Sequence, residues 1–142
     1  MTDSGEKILE KAAYVQEAVA VLEEKQSVDR SEYRTNRELR AVVEREFHTA
    51  IEACSDIAGM IISRRGEEVA ESYSGRFEQL VTLGICSEKV GRQMERAAGF
   101  RNILAHKYGA TIDDDLVYKH LQEDVAVLRA FIVEVREAFA AE

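Results

Sequence analysis

The chain has 142 residues, of which 46% are hydrophobic and 32% charged, with no proline and no tryptophan. That length suits one domain, residues 1–142, able to bury about 68–70% of its unfolded surface. The composition is that of a soluble globular protein, and a net charge of −8 excludes a broad, nonspecific coat on duplex DNA.

A first helix is expected from about Glu6 to Lys25, where Ile8, Ala12, Val15, Val19 and Leu22 step by four and three. A polar connection follows, with a helical turn near Ser31–Thr35. The second helix is long, from about Asn36 to Arg65, on a seam of Leu39, Val43, Phe47, Ala50, Cys54, Ile57 and Ile61. Gly66 reads as its stop. His48, Glu52 and Asp56 recur every four residues on this helix. Such spacing suits metal ligands, but a bridging site needs a matching pair on another helix. Solvation or a structural salt bridge is therefore the expectation. Tyr73-Ser74-Gly75 reads as a turn, before a short helix around Phe77, Leu80, Val81 and Leu83 that Gly84 ends. This stretch is placed to lean over a cleft.

The third main helix runs from Ser87, its N-cap, to about His106. Gly91, Ala98, Gly99 and Ala105 offer small surface where another helix or chain can approach. Gly109 is its stop. The last helix is expected from about Asp114 to Ala140, with Asp113, Asp114 and Asp115 capping it and opposing its dipole. Its seam is Leu121, Val125, Leu128, Ile132, Val135 and Phe139, with His120 at the boundary. The four seams and short connections define an all-α fold, an antiparallel four-helix bundle with a short additional helix.

Cys54 and Cys86 form no metal-like spacing. No leader pattern opens the chain and no apolar run reaches membrane-spanning length, so the cytoplasm is the expected setting.

The chemistry concentrates in the third helix. Its seam is Val90, Met94, Ala97, Arg101, Leu104 and Tyr108, and Arg101 stands where an aliphatic side chain belongs. A guanidinium stays charged at any ordinary pH. Removing it from water costs several kcal/mol unless a partner or a solvent-filled cleft receives it. The position implies either a structural ion pair or an anion site. Asn102 and His106 are four apart and share a second face. His106 is a general acid/base candidate near neutral pH. Between Ser87 and Tyr108 five basic residues (Lys89, Arg92, Arg96, Arg101, Lys107) face two acidic ones (Glu88, Glu95), a local +3 in an acidic protein. Such a patch can select a phosphate without coating a duplex.

Arg101, four intervening residues, His106, one residue and Tyr108 resemble the Arg-x4-His-x-Tyr motif of HEPN-domain toxins. The resemblance is closest to the HepT toxins that pair with an MntA-type minimal nucleotidyltransferase antitoxin. The flanking Phe100-Arg101-Asn102-Ile103-Leu104-Ala105-His106-Lys107-Tyr108 and Ala50-Ile51-Glu52-Ala53-Cys54-Ser55-Asp56-Ile57-Ala58 are also similar to that family, so the likeness spans roughly Val42 to Phe139. It implies a HEPN-like bundle, a homodimer with a composite cleft and a ribonuclease. It also implies that the partner antitoxin transfers AMP to the motif tyrosine, here Tyr108.

Metal-independent RNA cleavage by the substrate's own 2′-hydroxyl needs a proton acceptor, a proton donor and cationic support for the phosphoryl oxygens. His106 can serve as base or acid, Arg101 can hold the oxygens bidentately, and Asn102 can orient substrate or imidazole. No cofactor and no metal set is expected. Five residues along an ideal helix leave Arg101 and His106 roughly 140° apart. One phosphate is reached by both only if the helix end frays or a two-fold dimer brings two motifs together. The competing expectation is a noncatalytic helical partner of a nucleotidyltransferase, using the same basic patch to bind nucleotide or protein.

Overall fold

In the computed structural model, residues 4–106 and 112–141 are described, and they form seven helices without a strand. Helix α1, Ser4–Lys25, buries Ile8, Ala12, Val15, Ala18, Val19 and Leu22 on one stripe. Helix α2, Arg30–Thr35, is a short piece that Asp29 caps by accepting from the Glu32 N–H at 2.7 Å. Asn36 closes α2 and opens α3, its side chain accepting from the Leu39 N–H. Helix α3, Arg37–Arg64, carries the expected seam, with Val43, Phe47, Ala50, Cys54 and Ile57 at most 1% exposed.

Gly66 stops α3 in the left-handed region, φ 76°. The Gly66 N–H reaches the Ser63 carbonyl and the Glu67 N–H the Ile62 carbonyl. This is the paired bonding that satisfies a helix's last carbonyls and that only glycine adopts without strain. The same arrangement closes helix α4, Tyr73–Thr82: Gly84 has φ 75°, its N–H meets the Val81 carbonyl, and the Ile85 N–H meets the Leu80 carbonyl.

Two boundaries differ from expectation. Tyr73-Ser74-Gly75 is the first turn of α4 rather than a free-standing turn. The Ser72 hydroxyl accepts from the Gly75 N–H at 3.0 Å and so starts the helix earlier. The last helix is two. Helix α6 spans Asp114–Glu123 and α7 spans Val125–Ala140. Asp124 lies between them at φ −104°, ψ −8°, its carboxylate turned back onto His120 Nδ1. An aspartate that hydrogen-bonds locally competes with the helical ladder. The apolar seam crosses this break intact, since Leu121, Val125, Leu128, Ile132 and Val135 are all buried.

Helix α5 runs Glu88–His106 from a Ser87 cap whose hydroxyl accepts from the Val90 N–H. Ser87 is itself tied to Glu134 of α7 by two bonds of 2.8 Å. Of the aspartates at the start of α6, Asp113 caps the helix, Asp114 pairs with Arg40, and Asp115 pairs with Arg34 and Arg30. The long helices α1, α3, α5 and α6–α7 make the antiparallel bundle. Helix α3 touches all the others, and α4 lies across α5. That crossing explains Gly91: a Cβ there would come 2.1 Å from Val81 Cγ2 of α4, whereas nothing approaches Gly99 within 4 Å. The expected helical turn near Ser31–Thr35 is α2, and the expected short additional helix is α4. Among the described residues no helix is long and apolar enough to cross a membrane.

Candidate functional site at the end of α5

The seam of α5 buries Val90, Met94, Ala97 and Leu104. Arg101 continues it to the edge of the core, with its side chain 19% exposed. The guanidinium is gripped from two directions. Its Nη2 donates to Glu52 Oε2 of α3 at 3.1 Å, and its Cζ stands 4.7 Å from the ring centroid of Tyr73, the first residue of α4. Arg101 Nε is buried without a hydrogen-bond partner among the described residues. A guanidinium stacked on an aromatic face gains about 0.5–2 kcal/mol, more as water is excluded. Glu52 is 47% exposed, so the ion pair is only partly desolvated and its contribution is modest.

Glu52 is one of a row of half-buried polar residues four apart on α3: Arg40, Glu44, His48, Glu52 and Asp56. His48 Nε2 lies 3.5 Å from Glu52 Oε2, but the two are not aligned as a hydrogen bond, and His48 Nε2 is shielded from solvent. Asp56 reaches Lys11 of α1 at 3.5 Å, and Arg40 reaches Asp114 at 3.7 Å. Burial, helped by the nearby Asp114, raises the Glu44 carboxyl above the usual carboxylate range. Burial likewise raises the Tyr73 phenol, with Arg101 opposing. No three His, Cys, Asp or Glu among the described residues converge as a metal ion requires. The acids on α3 that sequence spacing left open are engaged in salt bridges.

Asn102 and His106 are both exposed, one turn apart on the outer face of α5. The structure thus brings these two together and sets Arg101 on the adjoining half-buried side. The helix continues without a break through His106. The separation of Arg101 and His106 around the helix therefore holds within one chain. Lys107, Tyr108 and Gly109 lie outside the described residues. Glu52, Tyr73 and His48 are the site residues that periodicity did not assign. Glu52 is 49 positions from Arg101, and nothing local in either segment names the other.

The family model described as "Ribonuclease HepT-like" matches residues 15–135. The chain belongs to the HepT-like family. A relative from Archaeoglobus fulgidus, described as a candidate RNase, is 32% identical over 132 residues, 93% of this chain and 92% of its own length. Among solved structures, a Shewanella oneidensis HEPN toxin, tri-AMPylated and in complex with its MNT antitoxin, superposes with a TM-score of 0.82. It is 22% identical and covers 96% of this chain and 99% of its own. YutE from Bacillus subtilis, a cytosolic protein of unknown function, gives a TM-score of 0.83 at 18% identity, over 96% of this chain and 90% of its own. At those identities the likeness is one of fold, and the HepT-like bundle here is the HEPN fold.

Proposed function

We propose that this HepT-like chain is a metal-independent endoribonuclease toxin of a type VII toxin–antitoxin system. In this reading the substrate's 2′-oxygen attacks the neighbouring phosphorus as the bond to the 5′-oxygen breaks. One proton leaves the 2′-hydroxyl and one arrives at the 5′-oxygen. Arg101 stabilises the charge that gathers on the phosphoryl oxygens. Asn102 orients the substrate or the imidazole beside it. His106 carries protons. Because one helix turns Arg101 and His106 to different sides, the working cleft is composite, with His106 of two copies serving as base and acid in a homodimer.

The observation that supports this reading is a guanidinium held at the rim of the core rather than sealed inside it, on the helix that exposes Asn102 and His106. Family membership and the candidate RNase relative agree with it. The tri-AMPylated toxin of similar fold suggests how the activity is silenced. An MntA-type antitoxin transfers AMP to Tyr108, and the attached phosphodiester and nucleotide occupy the phosphate position beside Arg101.

One observation favours the second reading, a noncatalytic partner of a nucleotidyltransferase: Arg101 already has a carboxylate partner in Glu52. RNA cleavage by the purified protein with chelator present decides between them. Native protein that cuts, and a folded His106→Ala form that does not, supports the nuclease. Full activity in His106→Ala removes the catalytic assignment.

A further inference from the structure

We propose that Glu52 and Tyr73 are positioning residues that set the guanidinium of Arg101 for the phosphodiester. This inference rests on the nuclease reading. A free arginine side chain at a helix surface samples many rotamers, and its planar fork can meet a phosphate from several sides. Here two contacts remove that freedom. The 3.1 Å bond from Nη2 to Glu52 Oε2 fixes one arm of the fork. The Tyr73 ring, its centroid 4.7 Å from Cζ, bounds the guanidinium on another side. With Nη2 engaged by Glu52 and Nε buried, the in-plane N–H groups of Nη1 are the donors left for phosphoryl oxygens.

The two contacts come from different helices, and each is itself anchored. Glu52 sits in the middle of α3 among the buried Ile51, Ala53 and Cys54. Tyr73 opens α4 directly after the Ser72 cap, so the local bond from Gly75 N–H to Ser72 fixes the backbone from which the ring projects. Arg76, one turn further along α4, bonds the Ala70 carbonyl at 2.9 Å and reaches Ser55 on α3 at 3.3 Å, tying this end of α4 to the same part of α3. The cradle is therefore built into the bundle rather than hung on a loop.

Such a cradle acts on the chemical step more than on substrate capture. A guanidinium that is already aimed loses less freedom as the phosphoryl charge develops. The alternative sign is a restraint: a carboxylate that competes with RNA for Arg101. Neutralising Glu52 would then raise activity.

The test is steady-state cleavage of a single-stranded RNA oligonucleotide by the full chain, with thermal unfolding of each variant alongside. Glu52→Gln and Tyr73→Leu are expected to lower kcat by about 10- to 100-fold with KM changed far less. Glu52→Asp should recover part of the loss and Tyr73→Phe nearly all of it, because the ring and not the hydroxyl faces the guanidinium. Arg101→Ala separates the two levels of the argument. If it is inactive while Glu52→Gln matches the native enzyme or exceeds it, the cradle is wrong and the nuclease stands. If Arg101→Ala is fully active, the nuclease assignment of Arg101 fails with it. A readout independent of activity is nitrogen-15 NMR of Arg101. A clamped guanidinium gives slow rotation about Nε–Cζ and distinct Nη signals, which Glu52→Gln should average. Averaged signals in the native protein would overturn the proposal even without an RNA substrate.

Discussion

Phe100 and His120 lie face to face, their ring centroids 3.9 Å apart and their planes within 15°. Phe100 immediately precedes the motif arginine, and its ring also meets Phe47 edge-on at 5.3 Å. His120 is held by Asp124, the residue at which α6 gives way to α7. The end of α5 is thus fastened at once to the middle of α3 and to the break in the last helix.

Phe100→Ala is therefore expected to cost about 3–5 kcal/mol of stability, the range for removing a buried aromatic and leaving a cavity. Phe100→Leu should cost clearly less. Denaturant unfolding measures both. A loss below about 1 kcal/mol for the alanine form would mean that the stack does not organise this end of the bundle.

The two glycines of α5 make opposite predictions. Gly91→Ala forces Val81 of α4 aside and should cost about 1–3 kcal/mol. At Gly99 the space is open and the backbone helical, so Gly99→Ala should stabilise by about 0.5–1 kcal/mol through the unfolded state. Thermal melts of the pair check the sign at each site. Equal effects would contradict the α4–α5 crossing.

Alkaline pH should unfold the protein through protons that its interior retains. Burial pushes the Cys86 thiol, from an ordinary value of 9.0, up to about 12, with Glu134 adding to the rise. Burial raises the Cys54 thiol and the Tyr33 phenol further still. In each case the folded state holds the proton more tightly than the unfolded chain. The unfolded state therefore ionises first, and stability falls as pH rises from the ordinary value through the folded one. For Cys86 that window runs from 9.0 to about 12. Urea midpoints should drop from about pH 8 to about pH 10, and Cys86→Ala should flatten part of that slope. At about pH 8 both native thiols should resist iodoacetamide and react once the chain is unfolded, since only the thiolate is nucleophilic.

Incubation with ATP and the cognate nucleotidyltransferase should add one or more AMP units at Tyr108, read by mass spectrometry, and none to Tyr108→Phe. The unmodified Tyr108→Phe protein should still cleave RNA, and the partner should no longer silence it. Modification at another residue, or none, would remove this part of the reading.

Long, regular features were legible in the sequence. The apolar residues of α1, α3, α5 and the last helix recur at the spacing of one helical face, and burial follows that spacing. Gly66 and Gly84 were readable as stops because their left-handed backbone suits glycine above other residues. The break at Asp124 was not legible, because the apolar seam runs through it unchanged and only the local bond to His120 marks it. The start of α4 was misplaced because a serine cap outweighed the turn signals that follow it.

The sequence by itself determined that α5 carries a cation into an apolar seam, with Asn102 and His106 on a second face, since helical geometry converts spacing directly into direction. It left open whether that cation was an ion-paired core residue or an anion site. Only the tertiary structure decided that Arg101 meets Glu52 of α3 and the ring of Tyr73 while keeping an edge toward solvent. Partners on two other helices are chosen by how the bundle packs, and no periodicity within one helix encodes that choice.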